Sequence, residues 1–458
     1  MWEVILISPG YFFIALVLLL AGIAYSVSQL RLGFGLPTLA VLLTIGFWYF
    51  GDVMYNDYPA YLREFTVRNV NSAWGQVALF LFAFLLFVVL IPKRMRKRSS
   101  IYDLYRQGSF RDRQYQHAIS VCFGICAAIW VGCVMFTLAT SPSQVINFIL
   151  PFLGERFDPF RRPQIGGGFS AVISLAQNLY LLAGAGFGVV LALSTNQRLR
   201  ALAALGCLSV WSLFIFDRTR NSLIVIILPF ILSWIFLRFR TSNLKRLAVL
   251  GVCVVLLEVW FSFIMEVRMQ RGSVANTFFD SGMQAVVDSE ARHAGLNMFE
   301  ELCHLTYFYD VGKMTPNNGA RYFTELVNII PRGLWAGKPT IGVDYALARG
   351  QFFLPDGTIS ASISTGLIGQ GSLNFGKFFG PIFAAFLMSL WVRILASIDT
   401  SRSKMKFPLI LLGLVLTFNM GRDITLLVLY PFLFGYFLFV YAEYRNRRRP
   451  GAAVGLST

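Results

Sequence analysis

Three arginines stand where arginine is costly. Arg218 and Arg220 fall in the tight connection Asp217-Arg218-Thr219-Arg220 between two apolar runs, and Arg422 falls between Met420 and the run that begins near Ile424. Arginine at membrane depth costs about 2.5–3.5 kcal/mol on insertion scales and characteristically faces a cavity or a partner. Its planar fork matches phosphate oxygens. Arg218, Arg220 and Arg422 are therefore expected to line a site for a phosphate-bearing lipid headgroup. The plainer alternative is pairing with Asp217 and Asp423, or snorkelling to ordinary lipid heads.

Other residues extend this chemistry. Arg268 and Arg271, three apart, could share one helical face. Arg332 and Lys338 follow in a Pro- and Gly-rich stretch, while Arg292, Arg321 and Arg349 read as solvated surface charges. Transfer to a hydroxyl needs a base or an orienting group. Glu290, Glu300, Glu301, Asp310 and His304 are the candidates, each weighed against a structural salt bridge or, for His304, a place in the core. Glu258, inside an apolar run, is expected to be neutral or paired across the bundle.

The elements that must position these groups are set by composition. Of 458 residues, 56% are hydrophobic and 14% charged, a balance that a soluble domain cannot carry on its surface. Lipid offers no partner to free backbone groups, so the chain must cross it as helices of about 20 residues. Eleven apolar runs qualify: 9–27, 36–50, 74–91, 118–137, 169–192, 202–216, 223–236, 247–265, 378–398, 407–419 and 426–441. The expected fold is all-α, a polytopic transmembrane helical bundle.

Orientation follows from lysine and arginine, which favour the cytoplasmic side. Placing Lys93, Arg94, Arg96, Lys97 and Arg98 inside leaves every short loop consistent, with the N-terminus out and the C-terminus in. The net charge of +17 is then mostly a topology signal. No basic soluble domain interleaved with aromatics is present, so nucleic acid is not an expected partner. The expected organisation is membrane helices over 1–266, an extracytoplasmic segment with amphipathic helices over 267–375, membrane helices over 376–444, and a basic cytoplasmic tail over 445–458. The stretch 359–375 is nearly uncharged and rich in Ser, Thr and Gly, so it should dip into the interface or pack on the bundle. Cys303 is alone in the large segment, and His117, His293 and His304 lack partners at ligand spacing; no disulfide framework, metal or cofactor is expected.

The run Ile330-Pro331-Arg332-Gly333-Leu334-Trp335-Ala336-Gly337-Lys338-Pro339, followed by Ser364-Thr365-Gly366-Leu367-Ile368-Gly369-Gln370-Gly371 and Asn374-Phe375-Gly376, resembles the large outer loop of bacterial oligosaccharide repeat-unit polymerases. These are the Wzy-type O-antigen and exopolysaccharide polymerases. Arg220-Asn221-Ser222-Leu223 is also similar to that family's arginine at the start of a membrane helix. One departure is Gln370-Gly371, where members often place Glu before an aromatic residue.

The resemblance implies a GT-C-like, metal-independent glycosyltransferase in the bacterial inner membrane, worked from the periplasmic face. It would polymerise repeat units carried on undecaprenyl pyrophosphate into O-antigen, capsule or exopolysaccharide. Donor and acceptor would both be lipid-linked oligosaccharides, with a chain-length-determining co-polymerase as a further possible partner. Arg218, Arg220, Arg268, Arg271 and Arg422 would bind the pyrophosphate, and Arg332, Lys338, His304 and Glu301 would join Arg218, Arg220 and Arg422 in catalysis. The alternatives are an O-antigen ligase using the same donor and a flippase or transporter of lipid-linked oligosaccharide. A transporter tends to show duplicated halves with interrupted helices in matching positions, and the sequence has neither.

Overall fold

A computed structural model of the chain describes residues 9–56, 58, 64–91, 102, 104–105, 109–151, 157–160, 170–215, 220–239, 242–269, 297–327, 330, 334–335, 337–338, 342–353, 363–398 and 404–447. Among these residues every regular element is helical. The helices before the hydrophilic segment are α1 (Gly10–Ser28), α2 (Gly35–Ile45), α3 (Val67–Val89), α4 (Arg113–Thr140), α5 (Ser170–Leu193), α6 (Gln197–Ile215), α7 (Arg220–Leu232) and α8 (Asn243–Met269). Three shorter helices follow: α9 (Met298–Asp310), α10 (Ala320–Val327) and α11 (Val343–Ala348). The chain then returns as α12 (Gly366–Ser397), α13 (Phe407–Met420) and α14 (Leu426–Arg447).

Each expected apolar run falls on one of these helices. Among the described residues eight helices, some counted with their continuations, are long and apolar enough to cross a membrane, and the molecule is a multi-pass helical membrane protein. Two groups form the bundle. In one, α3 packs along α1, α9 and α12; in the other, α5 is surrounded by α4, α6, α7 and α14. α13 bridges them through α2 and α7.

Two of the helices contain widened turns. α2 continues through a π-helical turn, Gly46–Gly51, into Asp52–Tyr55. The extra residue in such a turn re-aims its side chains, a device frequent at functional sites. It brings Trp48 Nε1 to the Phe418 carbonyl at 2.8 Å and Tyr49 Oη to the Ile368 amide at 2.8 Å. α7 likewise widens over Ser233–Arg238, just after Pro229 interrupts its hydrogen-bond ladder.

The short helices are tied to the bundle by polar groups. Buried Asp52 accepts from the amides of Phe299 at 2.8 Å and Glu300 at 3.1 Å, so the end of α2 caps the start of α9. A carboxylate there satisfies orphan donors and the helix dipole together. At the other end Asp310 accepts from Asn69 Nδ2 at 2.7 Å and pairs with Lys377. The side of the bundle that carries α9, α10 and α11 is its segment face.

Candidate functional site

The site is built by a break in α12. Gly376 has φ 79° and ψ 175°, a conformation open in practice only to glycine. Here α12 divides into a half-helix, 366–375, and a long helix, 377–397. The two fold back closely: a Cβ on Gly371 would lie 2.3 Å from the Gly380 carbonyl oxygen. Of the stretch 359–375 expected to dip or pack on the bundle, 366–375 form this half-helix, and 359–362 lie outside the described residues.

Its polar residues hold separate pieces of the site. Ser364 Oγ donates to the Arg422 carbonyl at 2.9 Å, and the Leu367 amide donates to the Gly421 carbonyl at 3.1 Å. Gln370 grips Ile424 in both directions, donating to its carbonyl and accepting from its amide, each at 2.9 Å. A glutamate could make only the second bond, which gives a physical reason for an amide at this position. Asn374 Oδ1 accepts from the Tyr322 amide at 3.2 Å and so seats α10 over the half-helix.

The Gly421-Arg422-Asp423 turn beneath is recessed. α13 has 14 residues, about 21 Å at 1.5 Å per residue, against roughly 30 Å of hydrocarbon. A second comparison agrees. A Cβ on Gly421 would meet Thr44 and Trp48, whereas α2 and its continuation run on to Tyr55, about 10 Å further.

Four charged residues gather at this recess. Arg422 and Asp423 are half-buried in the turn, and among the described residues no hydrogen bond occupies the Arg422 guanidinium. From α10, Glu325 is 5% exposed, and its Oε2 has no hydrogen-bond partner among the described residues. Arg321, also on α10, pairs with Asp344. Burial pushes the Glu325 carboxyl up to about 8, helped by the nearby Asp423 charge. Burial also raises Asp423, to about 6, against the Ser364 hydroxyl and the charges of Arg422 and Arg321. At neutral pH one carboxyl is thus mostly protonated and the other mostly ionised, a division suited to proton transfer.

α10 is turned inside out relative to a helix in water. Thr324 and Glu325 face inward, while Phe323 and Leu326 are 55% and 61% exposed. An eight-residue helix with its apolar side outward needs lipid or another apolar surface against it. Leu334 and Trp335 are exposed in the same segment. Tryptophan is the residue enriched where hydrocarbon gives way to headgroups.

The arginines and lysine singled out by sequence are distributed unevenly. Arg422 lies in the recess. Arg220 begins α7, whose next residue, Asn221, accepts from Asn419 Nδ2 at 3.4 Å, so the backbone there adjoins the Arg422 turn. Arg268 lies in the last turn of α8. The side chains of Arg220, Arg268 and Glu258, and all of Arg218, Arg271, Glu290, Arg292 and Arg332, lie outside the described residues. Lys338 is buried and donates from Nζ to the Ile330 carbonyl at 2.9 Å, holding its own loop.

The acids on α9 form a separate group. Glu301 is 1% exposed and accepts from Tyr345 Oη at 2.6 Å and from Arg349 Nε and Nη2 at 3.1 and 3.2 Å. Burial raises its carboxyl, and Arg349 and Tyr345 oppose that rise. His304 Nε2 lies 3.6 Å from Glu64 and 3.7 Å from Glu300, with its ring edge against Phe65. Arg321 and Arg349, expected as solvated charges, are instead ion-paired and largely buried. Among the described residues no hydrogen bond or ion pair joins Glu301, His304 or Lys338 to Arg422.

Sequence inspection passed over Glu325. The signal was available in Ala320–Val327, where Arg321, Thr324 and Glu325 share one face and Phe323 and Leu326 another. The fold defines a helical multi-pass membrane protein with a polar recess roofed by a half-helix. No family model, curated protein or solved structure matches the chain.

Proposed function

We propose that the protein is a membrane glycosyltransferase that polymerises oligosaccharide repeat units carried on undecaprenyl pyrophosphate, in a GT-C-like bundle of the bacterial inner membrane. The observation that carries this reading is the recess. It gathers Arg422, Asp423 and Glu325 under the same Ser364–Gly371 and Asn374-Phe375-Gly376 residues that resemble the polymerase family. The reading places the recess on the periplasmic side. The inside-out α10 supports a substrate delivered from the lipid.

The reaction is a displacement at the anomeric carbon of the donor. The acceptor hydroxyl gives its proton to Asp423, and its oxygen forms the new bond to that carbon. The bond from carbon to pyrophosphate oxygen breaks, and the electron pair leaves with undecaprenyl pyrophosphate. Arg422, with Arg220 from the adjoining helix end, stabilises the charge that develops there. Glu325 stays protonated, so it adds no negative charge beside the leaving group.

Purified protein incubated with a lipid-linked repeat unit is expected to produce a ladder of lengthened glycans. Transfer solely to lipid A core would replace the polymerase by a ligase. Movement of the substrate between leaflets without lengthening would replace it by a flippase.

A further inference from the structure

A groove of about 710 Å³ runs along the flank of the bundle between α1, α3 and the Lys377 end of α12. Its character changes along its length. Arg68 and Lys377 stand at the segment face, while Ile14, Leu18, Leu79 and Phe82 line the part leading toward the middle of the bundle. Arg68, Ser72, Gly75, Leu79 and Phe82 recur at steps of four and three, so they share one side of α3. From Arg68 to Phe82 that side extends about 21 Å.

The two cations differ in what surrounds them. Lys377 pairs with Asp310 and lies 5.9 Å from the centre of the Tyr309 ring. Arg68 is exposed, and among the described residues no carboxylate pairs with it. Among the described residues the mouth therefore carries a guanidinium with no paired carboxylate, above an apolar trough. A guanidinium of this kind binds phosphate oxygens in a planar fork, and the trough offers one row of apolar contact for a chain.

The groove also shares a wall with the recess. Gln76, which lines it, accepts from Ser372 Oγ of the half-helix at 2.6 Å and donates to Thr306 Oγ1 of α9 at 3.1 Å. A headgroup held at Arg68 thus lies across the half-helix from Arg422.

We propose that this groove binds a single-chain polyprenyl lipid through its phosphate headgroup, and that it seats the acceptor carrier while the Arg422 recess takes the donor. The assignment to the acceptor rests on the polymerase reading; the binding of a polyprenyl phosphate does not. Two lipid-linked substrates need two places for their lipids, and the groove supplies the second within reach of the first.

The test uses the full-length protein in phosphatidylcholine nanodiscs and a photoreactive polyprenyl phosphate, with labelled peptides mapped by mass spectrometry. Label is expected on the groove-facing parts of α1 and α3, competed at least tenfold more effectively by undecaprenyl phosphate than by dioleoyl phosphatidate. Arg68→Ala and Ser72→Trp should each lower that label tenfold or more. Arg198→Ala, which removes an equally exposed cation at the start of α6, should leave it unchanged. Label spread evenly over the lipid-facing helices, equal competition by phosphatidate, or label insensitive to Arg68→Ala would each overturn the proposal. No sugar transfer is read, so a protein that fails to lengthen glycans can still pass this test.

Discussion

Two buried glutamates on neighbouring short helices behave in opposite ways. Glu301 on α9 is saturated by Tyr345 and both arms of Arg349, and it joins α9 to α11. Glu325 on α10 is almost as buried, yet its Oε2 has no partner among the described residues and the charge that acts on it is that of Asp423. Burying a carboxyl without partners is expensive unless it stays protonated. The comparison separates an acid that builds the segment from one that burial keeps protonated near neutral pH. Burial alone does not distinguish them; the partners do.

The largest expected effect falls on the recess. Asp423→Asn should lower turnover by about 10²–10⁴-fold, the usual contribution of a positioned base. The wild-type rate should rise as pH passes upward through about 6, where Asp423 loses its proton, and fall above about 8, where Glu325 ionises beside the leaving group. Glu325→Gln keeps a neutral side chain, so it should retain the rate near neutral pH and abolish the fall on the alkaline side. A Glu325→Gln profile that matches wild type would erase the distinction between the two glutamates.

Arg422→Ala should cost about 10²–10³-fold in turnover, the scale for removing one donor to a developing anion. Its effect belongs in the rate at saturating substrate more than in apparent affinity. The α9 side should respond in stability instead. Glu301→Ala leaves Arg349 partly buried and unpaired, which costs about 3 kcal/mol, the low end for breaking a buried pair. Thermal unfolding in detergent should show that loss, and no comparable loss for Glu325→Gln. Gly376→Ala comes last, at about 1–3 kcal/mol for forcing a side chain into a glycine conformation. Its signature would be reduced turnover without a change in helix content.

Much of the bundle was legible because a membrane span is written in composition. A run of about 20 apolar residues has few other stable fates, and each expected run falls on a helix. The half-helix was legible only as a stretch that packs. Gly366, Gly369, Gly371 and Gly376 carry no apolar periodicity, and its helical form is held by contacts to Tyr49, Gly421 and Ile424 in distant parts of the chain. Arg422 stood out because arginine is out of place between apolar runs. Glu325 did not, because charge inward and Phe323 outward makes sense only where lipid replaces water as the surrounding solvent. Arg321 and Arg349 were misjudged for a related reason: their partners Asp344 and Glu301 lie 23 and 48 residues away.

The shortness of α13 has an electrical meaning. On the proposed reading, substrate and water reach the Gly421 turn from the segment face, within about 21 Å of the opposite side, and the voltage across the membrane drops over that remaining thickness. If the proposed transfer runs there, a pyrophosphate released at Arg422 leaves at the potential of the compartment it faces, without crossing the field. Glycan lengthening in proteoliposomes should be the same with and without an imposed voltage. A carrier moving that headgroup between leaflets would instead feel about 2.3 kcal/mol per charge for every 100 mV.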